Sequence, residues 1–232
     1  MSWLTDTLAL YVRVFRKGAV LTAANWPLAL LVVCYPMGLL FLNVWLAPLG
    51  FVGGILWTLA LSACVSSWLH FMEQVVQGTG RAHLPDLPRS FATYLGDVVN
   101  VLFLIFVLRL LLNLVVAPAS ELVAIVLSLA MAVFFNAVLE LIYLGRYSGP
   151  DLLMASYRFI GTNWIEWFPA TILLLALAFG LDRILPAGPF GFFTIAAVGL
   201  VVAYASIVRG LLYLELATSS RRAREFKRRA SM

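Results

Sequence analysis

Charged residues are scarce in this sequence. Of its 232 residues, 12% are charged and 63% are hydrophobic, with a mean hydropathy of +0.98, whereas about 25% of the residues of a soluble domain are charged. One membrane span takes about 20 residues, so six spans use about half of the chain and leave no room for a sizeable soluble domain. The composition therefore predicts an all-α membrane protein.

Histidine and cysteine are also scarce, with two of each. His70 and His83 have no cysteine beside them, and Cys34 and Cys64 lie in separate apolar runs, which is not the spacing of a zinc site. The sequence lacks a glycine-rich phosphate loop, a Gly-x-Ser-x-Gly elbow and a His-Glu-x-x-His motif. We therefore expect no metal site, no cofactor and no catalytic residue.

Apolar runs of membrane length occur six times. Three of the connections between them are only a few residues long, so we expect the spans to pair as three hairpins. The predicted organisation is a single membrane domain over 1–220, followed by a basic tail over 221–232. The six predicted spans cover 27–47, 49–71, 98–117, 122–144, 165–185 and 190–216.

Basic residues collect on one side of these spans. Of the 16 Lys and Arg, only Arg183 lies on the opposite side, near the end of a span, while Arg109 and Arg209 lie deeper within spans. Because basic residues near span ends are retained in the cytoplasm, we expect a multi-pass inner-membrane protein with both termini cytoplasmic. We expect the tail to bind anionic phospholipid headgroups rather than nucleic acid, through Arg221, Arg222, Arg224, Lys227, Arg228 and Arg229.

A shorter segment of mixed composition precedes each hairpin, at 2–24, 88–97 and 151–163. In the first, apolar residues such as Leu8 and Val12 recur at helical spacing, and Arg13 and Arg16 take another face. This pattern is typical of an amphipathic helix that lies in the headgroup plane. The layout predicts three copies of a helix-plus-hairpin unit. Alternatively, any six-span protein with cytoplasmic loops has such a layout.

Tryptophan-containing segments lead from two of these helices into the membrane: Asn-Trp-Pro at 25–27 and Asn-Trp-Ile-Glu-Trp-Phe-Pro at 163–169. In this respect the chain resembles uncharacterised bacterial multi-pass membrane proteins related to the membrane domain found fused to glycerophosphodiester phosphodiesterases. The sequence does not contain the catalytic domain of those fusions. The resemblance therefore implies a membrane-embedded helper without phosphodiesterase activity.

Polar side chains recur at helical spacing inside the spans. In the fourth span, Ala124, Ser128, Ala132, Asn136 and Glu140 follow one another every four residues, and residues at this spacing share one face of a continuous helix. Polar groups that face lipid are costly, so we expect these faces to point into the bundle. The sequence predicts a polar pocket formed by Arg109, Asn113, Asn136, Glu140, Arg209, Ser66 and His70.

This pocket has two interpretations. It is either a cavity open to the cytoplasm, where the arginines receive an anionic group, or an ion-pair network that fixes helix register. We expect a non-enzymatic subunit or scaffold of a bacterial inner-membrane complex, which binds a protein partner or a second copy through its interfacial helices. A small transporter or lipid-handling protein is the alternative. An intramembrane enzyme is disfavoured because no nucleophile lies at a diagnostic spacing from a base.

Overall fold

The computed structural model describes residues 2–116, 120–184 and 191–218. Within these ranges the chain is helical and contains no strand, which confirms the predicted all-α class. The described α-helices are α1 (Ser2–Ala24), α2 (Leu28–Leu46), α3 (Gly50–Val76), α4 (Leu87–Thr93), α5 (Leu95–Leu111), α6 (Glu121–Phe134), α7 (Val138–Glu140), α8 (Gly149–Ile184) and α9 (Gly191–Thr218). Short 3-10 helices cover Ala47–Leu49 and Leu84–Asp86, and π-helices cover Leu112–Val116 and Leu141–Gly145.

Several of these helices carry large apolar surfaces. Side chains such as Phe51, Val44 and Leu122 are at least 70% exposed, although soluble monomers rarely expose large contiguous apolar patches. The surfaces therefore indicate contact with lipid. Within the described ranges, five segments are long and apolar enough to cross a membrane: Leu28–Val76, Leu95–Leu114, Glu121–Gly145, Gly149–Leu177 and Ile195–Thr218.

The short helices that precede the apolar segments are present, with one change of bounds. Helix α1 has the predicted bounds, and the Asn25 side chain donates to the Leu21 carbonyl just after the helix ends (2.7 Å). The third predicted helix occupies the first part of α8, which is interrupted by a non-helical Asn163 (φ −122°, ψ 15°). The second predicted helix, over 88–97, is too long, because α4 ends at Thr93.

The end of α4 has a tertiary cause. In a continuing helix, the carbonyl of Ser90 would accept from the backbone N–H of Tyr94. Instead, the hydroxyl of Ser66 lies between them, accepting from the Tyr94 N–H (2.8 Å) and donating to the Ser90 carbonyl (3.1 Å). A side chain of α3 thus replaces one backbone hydrogen bond of α4 and ends that helix.

The predicted span over 122–144 corresponds to the apolar segment Glu121–Gly145, but it is not one continuous α-helix. Helix α6 ends at Phe134, and a turn over 135–137 separates it from α7. The carbonyl of Phe134 accepts from the hydroxyl of Ser156 (2.7 Å), while the N–H of Val138 donates to the carbonyl of Phe135 (3.2 Å). The turn changes the helical phase, so Asn136 and Glu140 do not continue the face formed by Ser128 in α6.

The chain divides into two compact units. One comprises Met1–Ala29 with Asn163–Met232, and the other comprises Leu30–Thr162. The predicted single membrane domain over 1–220 stays a prediction. The predicted basic tail over 221–232, with its headgroup-binding residues, lies outside the described residues.

In the first unit, α1 packs along α9 through a stripe with four-residue spacing. Leu10, Val14 and Gly18 are buried on α1 against a buried surface of α9 that includes Val208. A Cβ atom added to Gly18 would lie 2.6 Å from Cγ2 of Val208, so only glycine permits this approach. This stripe was not predicted from the sequence: the predicted apolar face of α1 contains Leu8 and Val12, which are exposed.

Two tyrosines complete the attachment of α1. The hydroxyl of Tyr11 donates to the carbonyl of Glu166 (2.7 Å), and the hydroxyl of Tyr204 on α9 donates to the carbonyl of Phe15 (3.3 Å). Partial burial, with a smaller contribution from the negative charge of Glu166, raises the pKa of Tyr11 to about 12. This tyrosine therefore remains a hydrogen-bond donor at neutral pH, and α1 is fixed by polar as well as apolar contacts.

Substitution of Gly18 by valine tests this packing. We expect G18V to lower the free energy of unfolding by about 1–3 kcal/mol, because overpacking forces the two helices apart. Unfolding in mixed detergent micelles measures the change. The control is A19V, since Ala19 is the next residue of α1 and is exposed. Equal stability of the two variants would contradict the close approach of α1 and α9.

Candidate functional site

Polar side chains collect where α4 packs on the second half of α3. We call this group the α3–α4 cluster; its members are Ser66, Ser67, His70, Glu73, Gln74, Asp86, Ser90 and Tyr94. The sequence analysis identified Ser66 and His70 from their spacing on α3. It missed the residues that α4 and the preceding loop supply, because nothing in the local pattern indicates that these segments pack on α3.

Two buried serines form the centre of the cluster. The hydroxyl of Ser90 donates to the Leu87 carbonyl (2.7 Å) and lies 2.5 Å from the hydroxyl of Ser67. Since the single proton of Ser90 is already used, Ser67 donates to Ser90. The hydroxyl of Tyr35, 2.7 Å from Ser67, must then donate to Ser67. The chain of donors runs from Tyr35 through both serines to a backbone carbonyl, and it joins α2, α3 and α4.

Tyr94 attaches the start of α5 to α3. Its hydroxyl donates to Oε2 of Glu73 (2.6 Å). Burial, followed by the hydrogen bond to Glu73, raises the pKa of Tyr94 above its ordinary value. The phenol therefore stays protonated and gives the Glu73 carboxylate a hydrogen-bond donor within the fold.

Gln74 connects the end of α3 with the loop before α4. Its amide oxygen accepts from the His83 backbone N–H (2.8 Å), and its nitrogen donates to Oδ2 of Asp86 (3.0 Å) and lies 3.1 Å from Nε2 of His70. Because an amide nitrogen only donates, Nε2 of His70 accepts and the ring proton is on Nδ1. Among the described residues, Nδ1 of His70 is the one buried side-chain polar atom without a hydrogen-bond partner.

Every other buried side-chain polar atom of the cluster has a hydrogen-bond partner. Its hydroxyl, carboxylate and amide groups bond to one another or to backbone, which leaves few of them available to a substrate. Among the described residues, no group of three or more His, Cys, Asp or Glu is arranged to hold a metal ion. The geometry therefore favours a structural role, in which the cluster fixes α4 and the start of α5 on α3.

Arg109 lies outside the cluster, in a cavity of about 150 Å³ between α5 and α6. Its neighbours there include Ser128 and Ala132 of the predicted polar stripe. Both of these residues and Arg109 are exposed. The prediction that this part of the stripe faces the protein interior is therefore wrong.

A second cavity of the same unit is larger and apolar. It has a volume of about 510 Å³ and lies between α5, α6 and the first part of α8. Leucine and phenylalanine side chains form most of its wall, and Tyr157 also lines it. The volume is in the range of small-molecule sites, which is about 300–1,000 Å³.

Arg209 belongs to the first unit, where it contacts an aromatic ring. Its guanidinium carbon lies 4.8 Å from the centroid of the buried Trp167 ring, and Nη1 donates to the hydroxyl of Thr171 (3.4 Å). Such a cation–π contact stabilises a desolvated arginine. Trp167 and Thr171 are four residues apart on α8, a spacing that places both on one face.

The residues of the predicted pocket are thus distributed over several environments. Ser66 and His70 belong to the α3–α4 cluster, whereas Arg109 lines its own cavity. The remaining members are Asn113, exposed in the π-helix Leu112–Val116; Asn136, in the turn after α6; Glu140, buried in α7; and Arg209, in contact with Trp167. A pocket shared by all seven residues stays a prediction.

Comparison with protein-family models, with curated proteins and with solved structures finds no match for this chain. The resemblance to the membrane domain of phosphodiesterase fusions therefore remains an expectation from the sequence.

Substitution of Ser90 by alanine tests the α3–α4 cluster. We expect S90A to lower the free energy of unfolding by about 1–3 kcal/mol, because Ser67 loses its acceptor in a buried environment. Thermal unfolding in detergent measures the effect. The matched control is S128A, since Ser128 is an exposed serine of an apolar helix. If S90A and S128A unfold alike, the cluster does not hold α4 on α3.

Proposed function

We propose that this chain is a non-enzymatic subunit or scaffold of a complex in the bacterial inner membrane. In this proposal six spans form three hairpins, both termini are cytoplasmic, and an interfacial helix precedes each hairpin. The interfacial helices bind a protein partner, while the membrane part is surrounded by lipid. The main support for this proposal is the attachment of α1 to α9, which leaves the basic residues of α1 exposed.

The length of the helical segments supports six spans. Leu28–Val76 contains 49 residues and would be about 74 Å long as one helix, more than twice the thickness of a hydrocarbon core of about 30 Å. The 3-10 turn Ala47–Leu49 and the positive φ of Gly50 (55°) divide this segment into α2 and α3. Each half is long enough for one crossing.

Three recurring contacts support a three-fold repeat. In each proposed unit a small residue of the short helix contacts a long apolar helix: Gly18 meets Val208, Ser90 bonds to Ser67, and Ser156 bonds to the Phe134 carbonyl. Each of these small residues is followed seven positions later by Asn or Asp, at Asn25, Asp97 and Asn163. A common unit would explain both regularities.

The surface of α1 supports the docking role. Its buried stripe and its two tyrosine hydrogen bonds hold the helix in place, yet Arg13, Arg16 and Lys17 are exposed. Leu8 and Val12 are exposed as well. An amphipathic helix at the membrane surface can insert such apolar residues among the lipids and leave its basic residues at the headgroup level. There they are accessible to an acidic surface of a cytoplasmic partner.

The α3–α4 cluster gives further support for a scaffold. Its polar groups bond to one another and hold α4 at the end of α3, so a second short helix is fixed without forming an open polar path. Rigid placement of surface helices is what a docking protein requires, because a preorganised surface loses less entropy when it binds.

A lipid-handling protein is the second candidate. The apolar cavity of about 510 Å³ between α5, α6 and the first part of α8 favours it over transport of a polar solute. Leu108 and Leu127 are among the residues that line this cavity, and such a wall is suited to an acyl chain.

Removal of the positive charges of α1 distinguishes the docking function from the lipid-handling function. We expect the protein, extracted in lipid-preserving particles, to retain a stoichiometric protein partner in native mass spectrometry. The triple variant R13Q, R16Q and K17Q should lose this partner without a change in thermal stability, since all three side chains are exposed. The control is R81Q, in the loop after α3. A wild-type protein that carries lipid but no protein partner would contradict docking and favour the second candidate.

A further inference from the structure

The polar groups of the α3–α4 cluster are bonded within the chain, but Arg109 is not bonded to the described residues. It lies in the apolar segment Leu95–Leu114, and its guanidinium has no hydrogen bond or ion pair with any residue that the structure describes. A charged side chain within a span is costly unless it meets a partner or water, and such residues usually mark a functional site. Arg109 therefore points to a partner beyond the described residues.

The position of Arg109 in its helix and the lining of its cavity favour a partner inside the membrane. Arg109 lies five residues before the end of the segment, about 7 Å beyond its middle. Side chains leave a helix toward its N-terminus, which is here the direction of the middle of the segment. The cavity extends the same way, because Ile105, one turn nearer to Leu95, forms part of its wall. The phosphate of a lipid headgroup lies in the opposite direction from Arg109, beyond the near end of the segment.

The surroundings of Arg109 suit another helix. Ser128 and Ala132, one turn apart on α6, are exposed beside it and form part of the same cavity. Small residues let two membrane helices approach closely, and polar groups such as the Ser128 hydroxyl then bond across the contact. We call the surface formed by Arg109, Ser128 and Ala132 the arginine face.

We infer that the arginine face binds a transmembrane helix of a partner protein that carries an aspartate or glutamate at the depth of Arg109. The inference rests on the proposed docking function and adds the chemistry of an intramembrane contact. Charge complementarity requires an acidic group. A second copy of this chain is a poorer source. Glu73 is bonded to Tyr94, and Glu140, Glu166 and Glu215 already make polar contacts within the chain. The other acidic residues of the described apolar segments lie within the first three residues of a segment, away from the depth of Arg109: Asp97, Glu121 and Asp151.

A designed peptide tests the inference without knowledge of the natural partner. The probe is a leucine–alanine transmembrane peptide with one central aspartate, compared with peptides that carry asparagine or leucine at that position. Labelled full-length protein and labelled peptide are reconstituted in phosphatidylcholine vesicles, and energy transfer reports their association. We expect the aspartate peptide to bind about 10-fold more tightly than the leucine peptide, with the asparagine peptide between them.

Variants of the arginine face give the sharper result. R109M should abolish the preference for aspartate, and R109E should transfer the preference to a peptide with a central lysine. S128L should weaken all of the peptides by filling the cavity. The matched control is V126L, because Val126 is exposed on the same helix outside the cavity, and it should bind like the wild type.

Three results would overturn the inference. The first is equal binding of the aspartate and leucine peptides. The second is a wild-type protein that shows no preference among the peptides, together with an R109M variant that loses bound phosphatidylglycerol. This result would show that Arg109 binds a lipid phosphate. The third is Arg109-dependent association between two labelled copies of the protein. A stoichiometric partner found in native membranes alongside any of these results would leave the proposed docking function standing and remove only the arginine face.

Discussion

Polar groups within an apolar environment must form hydrogen bonds inside the protein. In this protein, that requirement determines where two of the helices end. Two helices end where a serine hydroxyl from another segment forms a hydrogen bond with a backbone group that would otherwise bond within the helix. Ser66 lies between the Ser90 carbonyl and the Tyr94 N–H, and Ser156 donates to the Phe134 carbonyl. In both cases the hydrogen bond that ends one helix also joins it to another. The breaks are therefore sites of attachment, and they set the places where the short helices are held.

The same constraint connects the fold with the proposed function. Helix α1 is held on α9 by close packing at Gly18 and by tyrosine hydroxyls that bond to backbone carbonyls, while α4 is held on α3 by the α3–α4 cluster. Elements attached in this way present fixed surfaces, as a docking protein requires. Arg109 departs from the rule, since it has no hydrogen bond or ion pair among the described residues. That departure is the basis for proposing the arginine face as a binding surface.

Much of the fold follows from local pattern, and the rest depends on contacts between distant residues. Apolar runs located the long helices, and the bounds of α1 were predicted correctly because amphipathic spacing ends at Asn25, whose side chain caps the helix. The end of α4 and the turn after Phe134 were not predictable, since neither involves proline or glycine at the break and both depend on a remote serine. The shared face of Ser128, Asn136 and Glu140 assumed one continuous helix over 122–144, which the turn at 135–137 interrupts; the pocket of seven residues stays a prediction. The four-residue spacing of Val14 and Gly18 can be read from the sequence. Its role, close packing of α1 on α9, is evident only from the structure.

In the proposed topology, the three short helices lie on one side of the membrane. Single cysteines at exposed positions of α1, α4 and the first part of α8 (R13C, R89C and R158C) test it most directly, together with L49C in the turn between α2 and α3. They are introduced with Cys34 and Cys64 replaced by alanine and are treated with a membrane-impermeant maleimide. We expect that L49C alone is labelled in spheroplasts and that the other three are labelled only in inverted vesicles. Labelling of any of those three from the same side as L49C would contradict it.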